Sequence, residues 1–82
     1  MVQAVDSKWQ ILQQAGYAYN FDRMVYFNKG TRKVFSVDFV QDHSEHDLQT
    51  SVNEASNGAE WRFYFNSPPP AAVQRELENV LR

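Results

Sequence analysis

The chain has no cysteine. No disulfide and no thiolate–metal centre can therefore hold it together, and a reducing compartment suits it. Long apolar runs are missing too. Nothing approaches the roughly 18 residues of a membrane span, and the opening MVQAVDSKWQ lacks the basic-then-apolar order of a signal peptide. The expectation is a soluble, cytoplasmic protein without membrane contact. Positive charge is scarce as well. Eight Lys and Arg against ten Asp and Glu leave a net charge of −2, which disfavours sequence-independent binding to nucleic acid. Glycine and proline number three each. The glycines fall at predicted element boundaries, and Pro68 to Pro70 read as a stiff link into a helix, where proline is tolerated at the start but not inside.

What the chain does have is rings. Aromatic residues make up 15% of its 82 positions and hydrophobic residues 43%. That is too much for a disordered segment. A chain this short has interior for one core only, so the whole of 1–82 reads as a single α+β domain. Bulky side chains supply the apolar area that a small domain otherwise lacks.

The hydrophobic period changes along the chain. Ser7 with Gln10 three residues on resembles a capping box, and Trp9, Ile11, Leu12 and Ala15 give a first helix its apolar side before Gly16 ends it. From Tyr17 to Asn28 the period is two, with Tyr19, Phe21, Val25 and Phe27 at odd positions. Lys33 to Gln41 repeats this with Phe35, Val37 and Phe39, and Glu60 to Asn66 with Trp61, Phe63 and Phe65. These read as three strands. Between the last two, Ser44 can cap a helix carrying Leu48, Val52 and Ala55, closed by Asn57-Gly58. After the prolines, Val73, Leu77, Val80 and Leu81 form one stripe of a terminal helix.

The stretch FNKGTRKV joins the first two strands. If all odd-numbered rings face one core, a three-residue loop Asn28-Lys29-Gly30 keeps the parity, with Gly30 in a left-handed conformation. Phe21 would then lie opposite Val37. A phosphate-holding loop is the poorer reading, because such loops are richer in glycine and feed a helix, whereas this one feeds a strand. The expected order is α-β-β-α-β-α, a two-layer domain with a three-stranded, mainly antiparallel sheet of order 2-1-3 packed against helices.

On that scheme the even positions form a second sheet face: Met24, Tyr26, Val34, Ser36, Asp38, Val40, Arg62 and Tyr64. Two readings stay open for it. Either Tyr26, Arg62 and Tyr64, with Met24 and Val34, form an open platform for a protein partner or a homodimer, or a helix covers the sheet and the tyrosines are packing residues. A single-stranded nucleic acid stacked on those rings, with Lys29, Arg32, Lys33 and Arg62 on its phosphates, is the alternative. A third is a small-ligand or catalytic site between sheet and helix.

The segment DHSEHD offers His43 and His46 as weak metal candidates, but zinc sites draw three or four ligands from more than one segment. Acidic residues at a helix start are expected from the dipole alone, and no metal or cofactor is assigned. Asp22 and Asp38 share the predicted second face, which by itself is weak ground for catalysis. The reading is a small non-catalytic binding or regulatory module acting through protein contacts, self-association among them.

Overall fold

A computed structural model describes residues 4–55 and 60–81. The elements run α1 (Ala4–Gln14), β1 (Ala18–Asn20), β2 (Val25–Asn28), β3 (Lys33–Ser36), α2 (Val37–Asp42), α3 (Glu45–Asn53), β4 (Arg62–Tyr64) and α4 (Ala71–Val80). The molecule is a small α+β domain, as expected. Its sheet has four strands rather than three, and its order is β1-β2-β3-β4 rather than 2-1-3. The last strand lies beside β3, and parallel to it, instead of returning to the first. Parallel neighbours need a crossover, and α2 with α3 supply it.

One turn accounts for the extra strand. The span expected as one strand, Tyr17 to Asn28, folds back on itself at Phe21 to Met24. Asn20 Oδ1 accepts from Arg23 N at 2.8 Å, and Met24 N donates to Asn20 O at 2.8 Å. The next turn repeats this design eight residues later. Asn28 Oδ1 accepts from Gly30 N at 2.7 Å and Thr31 N at 3.1 Å, and Arg32 N donates to Asn28 O at 2.7 Å. Both are asparagine-initiated turns of the kind that draws a chain out of extended structure. Each ends in a left-handed non-glycine residue, Met24 at φ 56° and Arg32 at φ 59°. The left-handed position is therefore Arg32, not Gly30, and the second loop has four residues instead of three.

That one residue changes the faces of the sheet. Asn28 pairs with Lys33, so even positions meet odd ones, Tyr26 opposite Phe35 and Phe27 opposite Val34. One face carries Tyr19, Tyr26, Phe35 and Tyr64 in a row; the other carries Ala18, Phe27, Val34 and Phe63. The expected convergence of odd-numbered rings on one interior fails. Phe21 is in a turn and 82% exposed, Val37 begins a helix, and Phe63 lies on the opposite face from Phe35. A slip in parity is forbidden only where one face must meet water. Here both are covered, giving three layers instead of two.

Leu12 of α1, Val40 of α2 and Leu48 of α3 pack with Tyr17 and Phe35 on the first face. Leu77 of α4 and the following Leu81 pack with Val25 and Val34 on the second. Phe35 is fully buried, with the rings of Tyr17, Phe39 and Tyr64 all within 5.6 Å of its centroid. Truncating such a ring costs about 3–5 kcal/mol.

Helix ends follow local chemistry. Gly16 at φ 90° lets Tyr17 N reach Leu12 O at 2.9 Å and Gly16 N reach Gln13 O at 3.0 Å, the paired bonds that close a helix through glycine. Ser44 caps α3 as expected, its Oγ accepting from Asp47 N at 3.1 Å. Ser36 caps α2 in the same way through Phe39 N, which ends β3 at a point where the alternation predicted more strand. Ser7 is not a cap. Nothing in Ala4 to Asp6 breaks a helix, and the Ser7 hydroxyl donates to Glu45 Oε2 at 2.7 Å, tying α1 to α3. Helix α3 ends at Asn53, and the expected stop at Asn57-Gly58 lies outside the described residues.

Candidate functional site

Lys33 opens β3 on the face beneath α3, and no part of it is exposed. Its Nζ donates to Ser51 O and Val52 O, each at 3.0 Å, and to Glu54 O. An ammonium has three donors, and all three are spent on carbonyls at and just past the end of α3, where a helix runs short of backbone donors. The negative end of the helix dipole favours a cation there. Burial pulls the Lys33 pKa below its ordinary value, opposed by the Glu54 carboxylate and assisted by Arg62. Its work is to hold α3 on the sheet.

Beside it, Tyr64 stacks flat on Phe35 at 4.6 Å, and its hydroxyl donates to Glu54 Oε1 at 2.5 Å. Arg62 Nη1 reaches the same carboxylate oxygen at 3.1 Å. The Tyr64 hydrogen bond is the chief reason Glu54 stays below the usual carboxylate value, while burial is the chief reason Tyr64 is raised above the usual phenol value. Tyr26 is half-buried against Trp9 of α1 at 5.3 Å and Tyr19 at 4.8 Å. Thus Tyr26, Arg62 and Tyr64 do share a face, but it is the face under α1, α2 and α3. The covered-sheet alternative describes these tyrosines. Val34 is fully buried on the opposite side against the α4 leucines, and Met24 stands in the β1–β2 turn. The five residues expected as one platform do not share a surface.

The basic set divides in the same way. Lys29 and Arg32 are exposed in the β2–β3 turn, and Arg62 N donates to Arg32 O at 2.8 Å, which brings those two residues side by side. Arg62 is paired with Glu54, and Lys33 is interior. His43 stacks on Phe39 at 3.9 Å with Nδ1 2.9 Å from Phe39 O, whereas His46 is exposed in the first turn of α3. Among the described residues no group of three or more His, Cys, Asp or Glu converges as a metal site. Asp22 lies in a turn and Asp38 in a helix, so neither belongs to a sheet face.

An open cleft of about 280 Å³ lies where the carboxyl ends of β3 and β4 meet the β1–β2 turn. Met24, Val25, Val37 and Phe65 form its apolar wall. Arg23, Ser36, Asp38, Asn66 and Ser67 contribute the polar part. The carboxyl ends of parallel strands are where open α/β sheets place ligands, although this volume is at the small end for a drug-sized molecule. Two apolar side chains of the same turn are exposed, Phe21 at 82% and Met24 at 59%, and of these Met24 lines the cleft. Phe21 rests edge-on against Tyr19 at 4.8 Å and is otherwise presented to solvent.

Phe21 to Met24 and Val37 to Gln41 fall within segments of period two, so hydrophobic periodicity alone does not reveal this site. One available signal was the recurrence of Asn at 20 and 28, each after an aromatic residue and each followed by four turn-compatible positions. The other was Ser36 with Asp38, a helix start. Compared with known proteins, the chain matches no family model, no curated protein and no solved structure.

Proposed function

We propose that this domain is a non-catalytic binding module whose contact surface is the β1–β2 turn and the cleft beside it. One observation carries the reading: the β1–β2 turn exposes Phe21 at 82% and Met24 at 59%, and Met24 also lines an apolar cleft. Folding leaves a ring outside only at a cost in unburied apolar area, and aromatic and methionine side chains are enriched at protein contacts. Self-association through the same turn is the other form of this proposal. A protein partner in the cytoplasm is the setting that accords with the cysteine-free composition. No helix among the described residues is long and apolar enough to cross a membrane.

The position of the cleft at the strand ends favours a small-ligand site as the second reading. Stacking of nucleic acid on Tyr26 and Tyr64 has less support, since helices lie over both rings and the Lys33 ammonium is engaged. Photocrosslinking tests the first reading. A benzoylphenylalanine placed at Phe21 should give discrete adducts in native cell extract, while the same group at exposed Gln49 should not. Light scattering of the purified protein separates a homodimer from a foreign partner. Equal labelling from both positions, or none from position 21, would remove the proposal.

A further inference from the structure

We infer that the cleft receives an apolar side chain from a protein partner together with an adjacent cationic group held by Asp38. This rests on the binding-module reading and specifies what the module recognises. The apolar wall of Met24, Val25, Val37 and Phe65 accounts for the first element, with Met24 able to adapt to the shape of its guest.

The charges account for the second. Arg23 is already paired with Glu76 of α4 at 3.0 Å, so the cationic side chain of the cleft is neutralised. The Asn66 amide donates to Asp42 Oδ2 at 2.6 Å. Ser36 Oγ accepts from Phe39 N at 3.1 Å, which leaves its hydroxyl proton for a guest acceptor. Asp38, exposed in the first turn of α2, has no hydrogen-bond or ion-pair partner among the described residues. Helix-dipole stabilisation accounts for an acid at this place, but it does not discharge the carboxylate. The uncompensated charge in the cleft is therefore negative. Complementarity selects a lysine or arginine beside the buried apolar group and rejects an acidic neighbour.

Backbone-amide NMR titrations with three capped dipeptides test this: acetyl-Leu-Arg-amide, acetyl-Leu-Glu-amide and acetyl-Ala-Arg-amide. The Leu-Arg probe should shift the amides of Met24, Val37 and Asp38 saturably, in the millimolar range. The Leu-Glu probe should bind about three- to tenfold more weakly, as expected for loss of a partly exposed ion pair with added repulsion. The Ala-Arg probe should also be weaker, and Asp38→Asn should bring the Arg and Glu probes level. Equal response to Arg and Glu in the unaltered protein overturns the inference without any variant. So does concentration-dependent shifting of the same amides with no peptide present, which makes a second copy the occupant. Crosslinking from position 21 with a cleft silent to all three probes sinks this inference alone; loss of both sinks the binding reading beneath it.

Discussion

Replacing Lys33 with methionine isolates the interaction that fastens α3 to the sheet. Methionine keeps the apolar stem and most of the volume, so the cavity contribution is small. What disappears is an ammonium donating to Ser51 O, Val52 O and Glu54 O. Hydrogen bonds to a charged group contribute about 1.5–3 kcal/mol each. Offset against them is the cost of dehydrating a buried ammonium, several kcal/mol in a protein interior. The balance is a loss of about 2–4 kcal/mol, because Val52 O and Glu54 O lose the ammonium as donor and Ser51 O keeps only the Glu54 N–H at 3.3 Å. In a domain of this size that lowers the melting temperature by roughly 10–25 °C. Thermal and urea melts give the total, and hydrogen exchange gives the location: amides in the last turn of α3 should lose protection before those of β2 and β3. Lys33→Arg should rescue only in part, since a planar fork does not match three carbonyls around one point. A Lys33→Met protein as stable as the parent, within about 0.5 kcal/mol, would refute the clamp and show that dehydration cancels the hydrogen bonds.

Gly16→Ala should destabilise by about 1–2 kcal/mol, because φ is +90° and the new Cβ would sit 3.1 Å from Asn28 Nδ2; a urea midpoint unchanged from the parent would contradict this. Asn28→Ala should cost about 2–3 kcal/mol, since it removes the turn contacts to Gly30 and Thr31 and the 2.9 Å bond from Nδ2 to Ala15 O, and chemical denaturation measures it. Alkaline titration should unfold the domain. Burial holds Tyr17, Tyr26 and Tyr64 above the ordinary 10.0, so the stability they contribute is whole below pH 10.0 and is lost as pH climbs through their raised values. Lys33, shifted down from 10.5, acts in the opposite sense: its burial cost is relieved as pH approaches 10.5, offsetting part of that loss. Phenolate absorbance should rise together with loss of near-ultraviolet circular dichroism; ionisation of all tyrosines near pH 10.0 with the fold intact would contradict the burial.

Several parts of the fold could be read directly from residue order because their causes are local. Gly16 ends α1, Ser44 starts α3, and α4 begins after Pro70, since each depends on a backbone preference or a cap spanning three or four residues. The strand cores around Val25 to Phe27, Val34 to Phe35 and Phe63 to Tyr64 also lie within the segments of period two. The sheet faces are not legible in the same way, because neither face is polar. In β2 and β3 the apolar residues run consecutively, as they do in strands covered on both sides, and alternation then carries no information about which side is in.

The candidate site lay beyond local reading for the same reason. Phe21, Met24 and Val37 look like strand residues until the turns at Asn20 and Asn28 and the cap at Ser36 are in place. Residue chemistry alone determined a small α+β domain and the helix boundaries at Gly16, Ser44 and Pro70. Tertiary structure decided the burial of Lys33 in α3 carbonyls and the gathering of three distant segments around the cleft. Each of these depends on a partner far along the chain, and no run of neighbouring residues contains that partner.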